Sequence, residues 1–377
     1  MTTSKPASDE KSILIPKPPV TTLYVGGSGL DIAQVTDLHL AGHYLFKRPH
    51  LAALRRLLRH VNPKLVINTG DLFCKRRIFS SLPALRLFEE YVGREFPWTF
   101  AWGNHDLDML RDGPYANHMY KKTELSLRNL RGSIYPSNHP FFAQRLDREW
   151  DISEPDDFLG GNFLIEVRRA VVDEIGEAGQ FFGNPRIHGG SQESFQEPPV
   201  WHIFIFNSGK KKHLRPEVLE WAREQAAVYG CSVPAVAFFH RPVCAIREKL
   251  STGQFEGPAM ESVGCGGDDG YVHEMLSEIG TVKACFFGHD HVNNFHCNID
   301  GIEYHYGRKT LSLSYGALPV RKRPSKETRT LPWGVTSIHL PFNGDDIEVS
   351  TILEDRTVSD RYEIALHQRK AYSALGT

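Results

Sequence analysis

Five short stretches of this 377-residue chain end in side chains that bind metal ions or move protons. They are Asp37 and His39 in TDLHL, Asp71 in NTGDLF, Asn104, His105 and Asp106 in WGNHD, His240 in AFFHRPV, and His289 and His291 in FFGHDH. Singly, each is commonplace: a lone histidine is ordinarily a hydrogen-bonded surface group, and Gly-Asp is an ordinary turn. Their shared position carries the weight. Each follows an apolar run with strand character, and glycine precedes three of the clusters (Gly70, Gly103, Gly288), letting backbone approach a bound group closely. In open α/β sheets the functional crevice lies beyond the carboxyl ends of the strands. Five strand ends would therefore deliver oxygen and nitrogen donors to one rim.

The donor types narrow the chemistry. Carboxylate, carboxamide and neutral imidazole suit Mn, Fe or Zn better than a thiolate structural zinc site does. Seven such donors exceed what one catalytic ion with an open position needs. They suit two ions about 3.5–4 Å apart, bridged by a carboxylate and a water.

The elements that must position them follow an alternating pattern. LDIAQVTD, PKLVINTGD and PWTFAWGNHD read as strands; PHLAALRRLLRHV (49–61) and SSLPALRLFEEYVGRE read as intervening helices, the first with Pro49 suited to a first turn. Strand–helix–strand order implies parallel pairing. NFLIEVRRAVV and VWHIFIFNSG read as further strands, RPEVLEWAREQAAVYG as a helix, PAVAFFH as a strand, GYVHEMLSEIG as a helix and VKACFFGHDH as a strand. Asp300-Gly301 and Asn343-Gly344 mark hairpin turns in an antiparallel C-terminal part. Residues 1–29, polar, Pro-rich and then Gly-rich, are expected as a flexible arm. A main domain is expected over 30–355, with 107–198 an irregular, insert-like segment, and 356–377 as a closing helix or tail. Asp268 and Asp269 precede a helix and are read as caps rather than as a cation site.

Composition excludes several classes. With 44 basic and 45 acidic residues the formal net charge is −1, so no global field attracts nucleic acid or an anionic membrane. Extended nucleic-acid binding and membrane association are not expected. The six cysteines form no C-x-x-C pair and are read as reduced thiols in a chain long enough to need no staples. The first twenty residues contain no apolar stretch of signal-peptide length. A cytoplasmic protein is expected.

The ordered set D-x-H, G-D, G-N-H-D, a lone His and G-H-x-H resembles the calcineurin-like metallophosphoesterase superfamily over about residues 30–315. FNSG (206–209), AFFHRPV and FFGHDHVNNF are similar to the branch holding a yeast dosage-dependent cell-cycle regulator and purple-acid-phosphatase-like plant proteins. The resemblance implies an α/β fold: a two-sheet β-sandwich flanked by helices (αββα), with metals at the sheet edge. It implies two divalent or trivalent ions, the first on Asp37, His39 and His291, the second on Asn104, His240 and His289, with Asp71 bridging. It also implies hydrolysis of phosphate esters by a metal-bridging hydroxide, with His105 contacting the phosphate or protonating the leaving oxygen and Asp106 orienting His105. True purple acid phosphatases carry tyrosine three residues after the bridging aspartate; here that residue is Cys74, expected as a packed or free thiol, and no tyrosinate colour is expected. His39, too, stands where the purple enzymes typically differ.

Arg241, Lys75 and Arg76 are candidate substrate contacts, while Lys210 to Lys212 read as a solvated basic run. The expected partner is a phosphorylated small molecule or a phosphoprotein, as monoester or diester. A cyclic-nucleotide phosphodiesterase or nuclease keeps the same chemistry. A non-catalytic protein-binding scaffold is the alternative of another class, and the filled donor set argues against it.

Overall fold

Two families of strands form because their apolar residues alternate between two buried faces. The computed structural model describes residues 18–40, 44–73, 81–111, 122–123, 125–136, 160–170, 198–210, 213–268, 270–318 and 330–366. In chain order the strands are β1 (Val20–Val25), β2 (Gly29–Val35), β3 (Leu65–Asn68), β4 (Trp98–Phe100), β5 (Phe163–Arg169), β6 (Trp201–Ile205), β7 (Ala235–Phe238), β8 (Val282–Phe287), β9 (His296–Ile299), β10 (Ile302–Tyr306), β11 (Ala317–Leu318), β12 (Leu331–Pro332), β13 (Gly334–Pro341), β14 (Ile347–Leu353) and β15 (Val358–Ile364). The helices are α1 (Arg48–Val61), α2 (Ser81–Phe88), α3 (Pro216–Val228), α4 (Ile246–Thr252) and α5 (Tyr271–Ile279).

One sheet runs β1-β5-β6-β7-β8-β10-β9 and the other β15-β14-β13-β2-β3-β4; β11 and β12 pair apart. The parallel runs predicted from sequence are real but fall in two sheets: β2-β3-β4 in one, β6-β7-β8-β10 in the other. Ile203, Ile205, Val236, Phe238 and Phe286 share the central core with Ile32, Val35, Val66 and Ile67 of the opposite sheet, and Leu51, Leu54 and Leu58 of α1 join them. The alternate residues Phe204, Ala237, Cys285 and Phe287 face outward onto Trp221 of α3 and Val272 and Leu276 of α5. That period-two split is the strand geometry itself, and it makes helix–sheet–sheet–helix layers, as expected. Gln34 of β2 ties the two sheets, donating to Thr69 Oγ1 (3.0 Å) on its own sheet and to the Phe287 carbonyl (3.1 Å) on the other.

Three expectations are corrected. Within the supposed arm of 1–29, Val20–Val25 is a strand paired in parallel with Phe163–Arg169. Within the supposed helix or tail of 356–377, Val358–Ile364 is an antiparallel edge strand on β14. Val20–Val25 pairs with a segment distant in sequence, of which its local composition carries no signal; Val358–Ile364 pairs with the strand just before it, and its largely exposed, charged face hides the strand pattern. Residues 1–17, 367–377 and most of 107–198 lie outside the described residues, as does Asp269; the N-cap position of the helix is Gly270, and Asp268, two residues before it, accepts the N–H of Gly270 at 2.8 Å and, at 3.4 Å, that of Val272.

The third correction concerns the thiols. Cys244 and Cys265 form a disulfide across a separation of 21 residues, with Cα atoms 5.1 Å apart. The bond staples the segment after His240 to a long loop whose Gly264 N–H is held by Asp290 Oδ2 (2.8 Å). The cytoplasmic expectation loses the support of uniformly reduced cysteines. Among the described residues no helix is long and apolar enough to cross a membrane. Closing a loop of this length contributes about 3 kcal/mol. Cys244→Ser is expected to lower the free energy of urea unfolding by about that much; if alkylation of the unreduced, denatured protein labels both cysteines, the link does not form.

Candidate metal centre

The turns after β2, β3, β4, β7 and β8 open at one end of the sandwich, and their backbones are laced together before any side chain is considered. Asp37 N–H donates to the Gly70 carbonyl (3.1 Å), His39 N–H to that of Asp71 (2.9 Å) and Gly288 N–H to that of His240 (3.0 Å). These turns are strained. Asp37 (φ 54°), His39 (φ 48°), Asp71 (φ 51°) and His289 (φ 79°) all sit in the left-handed region that non-glycine residues avoid. Such conformations cost about 1–3 kcal/mol each and cluster where function over-determines the backbone. Gly103 must lack a side chain, since a Cβ there would lie 2.2 Å from Asp71 N and 2.3 Å from Asp71 Oδ1.

Seven side chains converge in two groups. In the first, His39 Nε2 lies 3.0 Å from His291 Nε2, and Asp37 Oδ1 lies 3.3 Å from His291 Nε2 and 3.9 Å from His39 Nε2. In the second, His240 Nε2 lies 3.0 Å from Asn104 Oδ1 and 3.2 Å from His289 Nδ1. Asp71 Oδ2 stands between them, 3.8 Å from His39 Nε2 and 3.4 Å from His240 Nε2.

The donor atoms fit cations. Thr36 Oγ1 (2.8 Å) and the His289 N–H (3.0 Å) both bind Asp37 Oδ2, whereas Asp37 Oδ1 is buried without a hydrogen-bond partner. The Thr69 carbonyl takes the Nδ1 proton of His240 (2.8 Å), and that of Tyr315 takes the Nδ1 proton of His291 (3.0 Å). Each turns Nε2 toward the cluster, the usual way a ligating imidazole is oriented. Burial holds His39 and His289 down to about 3, neutral and ready to donate a lone pair. Burial alone would raise Asp37 and Asp71, but the imidazoles around them hold both carboxylates below the usual range. Burial would lower His240, yet Asp71 and Asp37 outweigh it and bring it up to about 9: two buried carboxylates demand positive charge here. The site is a pair of anionic pockets sharing one wall.

His105 hangs at the mouth, its ring 5.5 Å from that of His39 and its side chain 30% exposed. Its backbone N–H donates to Asp71 Oδ1 (2.8 Å). Asp106 does not orient it: that carboxylate is fully buried and accepts the N–H groups of Asp71 (2.7 Å), Gly103 (2.8 Å) and Phe73 (2.8 Å). It clamps the two ligand turns together, a role that sequence adjacency to His105 disguised. The residue on His105 Nδ1 is Asp108 (2.9 Å), whose other oxygen pairs with Lys210. Lys210 is therefore not the solvated residue expected; it is 9% exposed.

Arg241 stands beside this centre: its charge lowers His289, and its N–H donates to Ser208 Oγ (2.9 Å). Tyr315, 62% exposed, stacks on His291 with ring centroids 4.1 Å apart, and nothing in the sequence pointed to it. His213 braces the His240 turn, donating toward the carbonyls of Arg241 and Pro242, each at 2.9 Å. Lys75, Arg76 and Cys74 lie outside the described residues.

Comparison with known proteins bears on this geometry. A family model described as calcineurin-like phosphoesterase matches residues 30–293, well over half of the chain. A curated Arabidopsis thaliana protein named probable inactive purple acid phosphatase 28 is 25% identical over 272 residues, 67% of this chain and 60% of that protein's own length. Probable inactive purple acid phosphatase 29 of the same plant is 22% identical over 85% of this chain and 84% of its own. Among solved structures, a dimetal phosphatase from Danio rerio superposes with a TM-score of 0.52 at 12% identity, covering 90% of this chain and 100% of that one. GAP50, described as the anchor in the inner membrane complex of Plasmodium, gives a TM-score of 0.50 at 11% identity, covering 91% of each chain. These last likenesses are of fold.

Proposed function

This chain belongs to the calcineurin-like phosphoesterase family, and from that premise we propose that it is a working, metal-dependent hydrolase of phosphate esters. The observation that supports activity is the complete donor set around Asp71, with His105 at its mouth. The curated plant relatives are named as probably inactive; this chain's own residues are the ground for reading it otherwise.

Asp37, His39 and His291 would hold one cation and Asn104, His240 and His289 a second, with Asp71 common to both. Cations bound there would offset the charge of a phosphate and lower the pKa of water, in favourable zinc sites from 15.7 to about 7. The protein's part is to keep that pair of pockets anionic, buried and rigid. Thr36 and the His289 N–H turn Asp37 so that Oδ1 faces inward. Asp106 locks the turns carrying Asp71 and Asn104. The bond to Asp108 raises the basicity of His105 against the opposing effect of burial, with Asp71 adding to the rise. A protonated ring at the mouth then binds a phosphoryl oxygen or protonates the leaving oxygen. Arg241 contributes positive charge on the same side and is a candidate substrate contact. A phosphorylated small molecule or phosphoprotein is the substrate class.

The test is a panel: p-nitrophenyl phosphate, its bis ester and cyclic nucleotides, with Mn, Fe, Zn or Mg added singly to chelator-treated protein. Turnover of at least one ester, restored by metal and removed by chelation, is expected. A protein that binds metal yet hydrolyses nothing on the panel belongs with non-catalytic scaffolds.

A further inference from the structure

We propose that Asp108 and Lys210 form a positioning pair behind His105 and that this pair commits the site to esters of aliphatic alcohols. The inference rests on the phosphoesterase reading above and names its substrate class.

The geometry is graded from inside to outside. Lys210, at the end of the FNSG turn after β6, is 9% exposed; Asp108, on the short 3-10 turn Asp106–Arg111, is 15% exposed; His105 is 30% exposed. Asp108 Oδ1 meets the Lys210 ammonium and Oδ2 meets His105 Nδ1. The i,i+3 spacing on a 3-10 turn stacks the two side chains. A largely buried lysine–carboxylate pair is a poor source of net stability, because desolvation consumes the Coulomb gain. Held at the back of an imidazole that overlooks the donor cluster, it has another use. Lys210 fixes the carboxylate and the carboxylate fixes the ring. The Nδ1 proton is committed to Asp108, so any proton delivered to substrate leaves from Nε2. An uncommitted lysine at this place would serve as a phosphate contact; with its ammonium set against Asp108, Lys210 instead acts through the ring.

The leaving group decides how much that matters. As water's oxygen bonds to phosphorus, the ester P–O bond breaks and its electron pair stays with the departing oxygen. That oxygen takes the Nε2 proton of His105 and leaves as an alcohol. The proton given up by the attacking water restores the ring. A nitrophenolate is stable enough to leave without this help, whereas an aliphatic alkoxide is not. Proton donation by a positioned side chain contributes about 10²–10⁴-fold, and the benefit grows with the basicity of the leaving oxygen.

The experiment uses the full chain loaded with metal. In Asp108→Asn, and less steeply in Lys210→Met, turnover of alkyl phosphates such as phosphoserine is expected to fall about 10–100-fold further than turnover of p-nitrophenyl phosphate. Lys210→Arg should restore most of the difference, and bound metal should stay at the wild-type level. Equal losses for alkyl and aryl esters, or loss of metal, overturn the assignment. A second readout needs no activity. In ¹⁵N spectra of histidine-labelled, metal-free protein, the His105 Nδ1 proton, identified by its absence from His105→Ala, should be hydrogen-bonded in wild type and released in Asp108→Ala, which leaves no acceptor at that place. A released Nδ1 in an active wild-type enzyme sinks this proposal alone. A held Nδ1 in a protein that hydrolyses no ester sinks the phosphoesterase reading and the substrate class while leaving the pairing in place.

Discussion

Asp71→Asn is expected to strip both cations from the protein, not one, and to lower turnover by at least about a thousandfold. The substitution keeps the shape. Asparagine tolerates the left-handed backbone at φ 51° at least as well as aspartate, and its Oδ1 can still accept the His105 N–H. What changes is the edge held by Oδ2, which faces His240 Nε2 at 3.4 Å and His39 Nε2 at 3.8 Å. An amide NH₂ there puts donors in place of an acceptor against both imidazole Nε2 atoms and removes the one charge common to both pockets. Charge stabilisation of several kcal/mol rides on bound metal, and about 4 kcal/mol corresponds to about a thousandfold in rate. Metal analysis of dialysed protein is the check. Retention of one equivalent would mean that Asp71 serves a single pocket.

His105→Ala should separate chemistry from metal binding. Turnover of an alkyl phosphate is expected to fall about 10²–10⁴-fold with metal content unchanged. The His105 contact to the shared carboxylate comes from its backbone N–H, which alanine retains. The ring itself is part exposed, so its loss opens no core cavity, and a stability change below about 1 kcal/mol is expected. Loss of metal in parallel with activity would show that the ring shapes the pockets instead of acting on substrate.

Much of the site was legible because its donors obey local rules. Asp37 and His39, Asn104 and His105, and His289 and His291 each sit within a few residues of a strand end, where an apolar run stops and a glycine or polar turn begins. Side-chain type at such a stop is a chemical fact readable from sequence; the period of the same runs carried the strand–helix alternation, while the division into two packed sheets came from the family resemblance and not from the period. The orienting role that the resemblance implies for Asp106 fails for a local reason: adjacency to His105 in the chain is not contact. On the 3-10 turn beginning at Asp106, residue 108 rather than residue 106 meets the ring, and Asp106 points back into the ligand turns.

Sequence by itself therefore determined the kind of centre this chain can build, since carboxylates, one carboxamide and imidazoles are present in the right order after the right strands. Only tertiary structure decided which main-chain carbonyls of Thr69 and Tyr315 aim the imidazoles, and that Lys210 backs Asp108 across 102 residues of chain. It likewise decided that Cys244 and Cys265 meet and that Val20–Val25 joins a sheet beside Phe163–Arg169. The physical reason is common to all of these. A carbonyl is the same atom at every residue, and a partner brought close by packing leaves no periodic trace in the sequence around it.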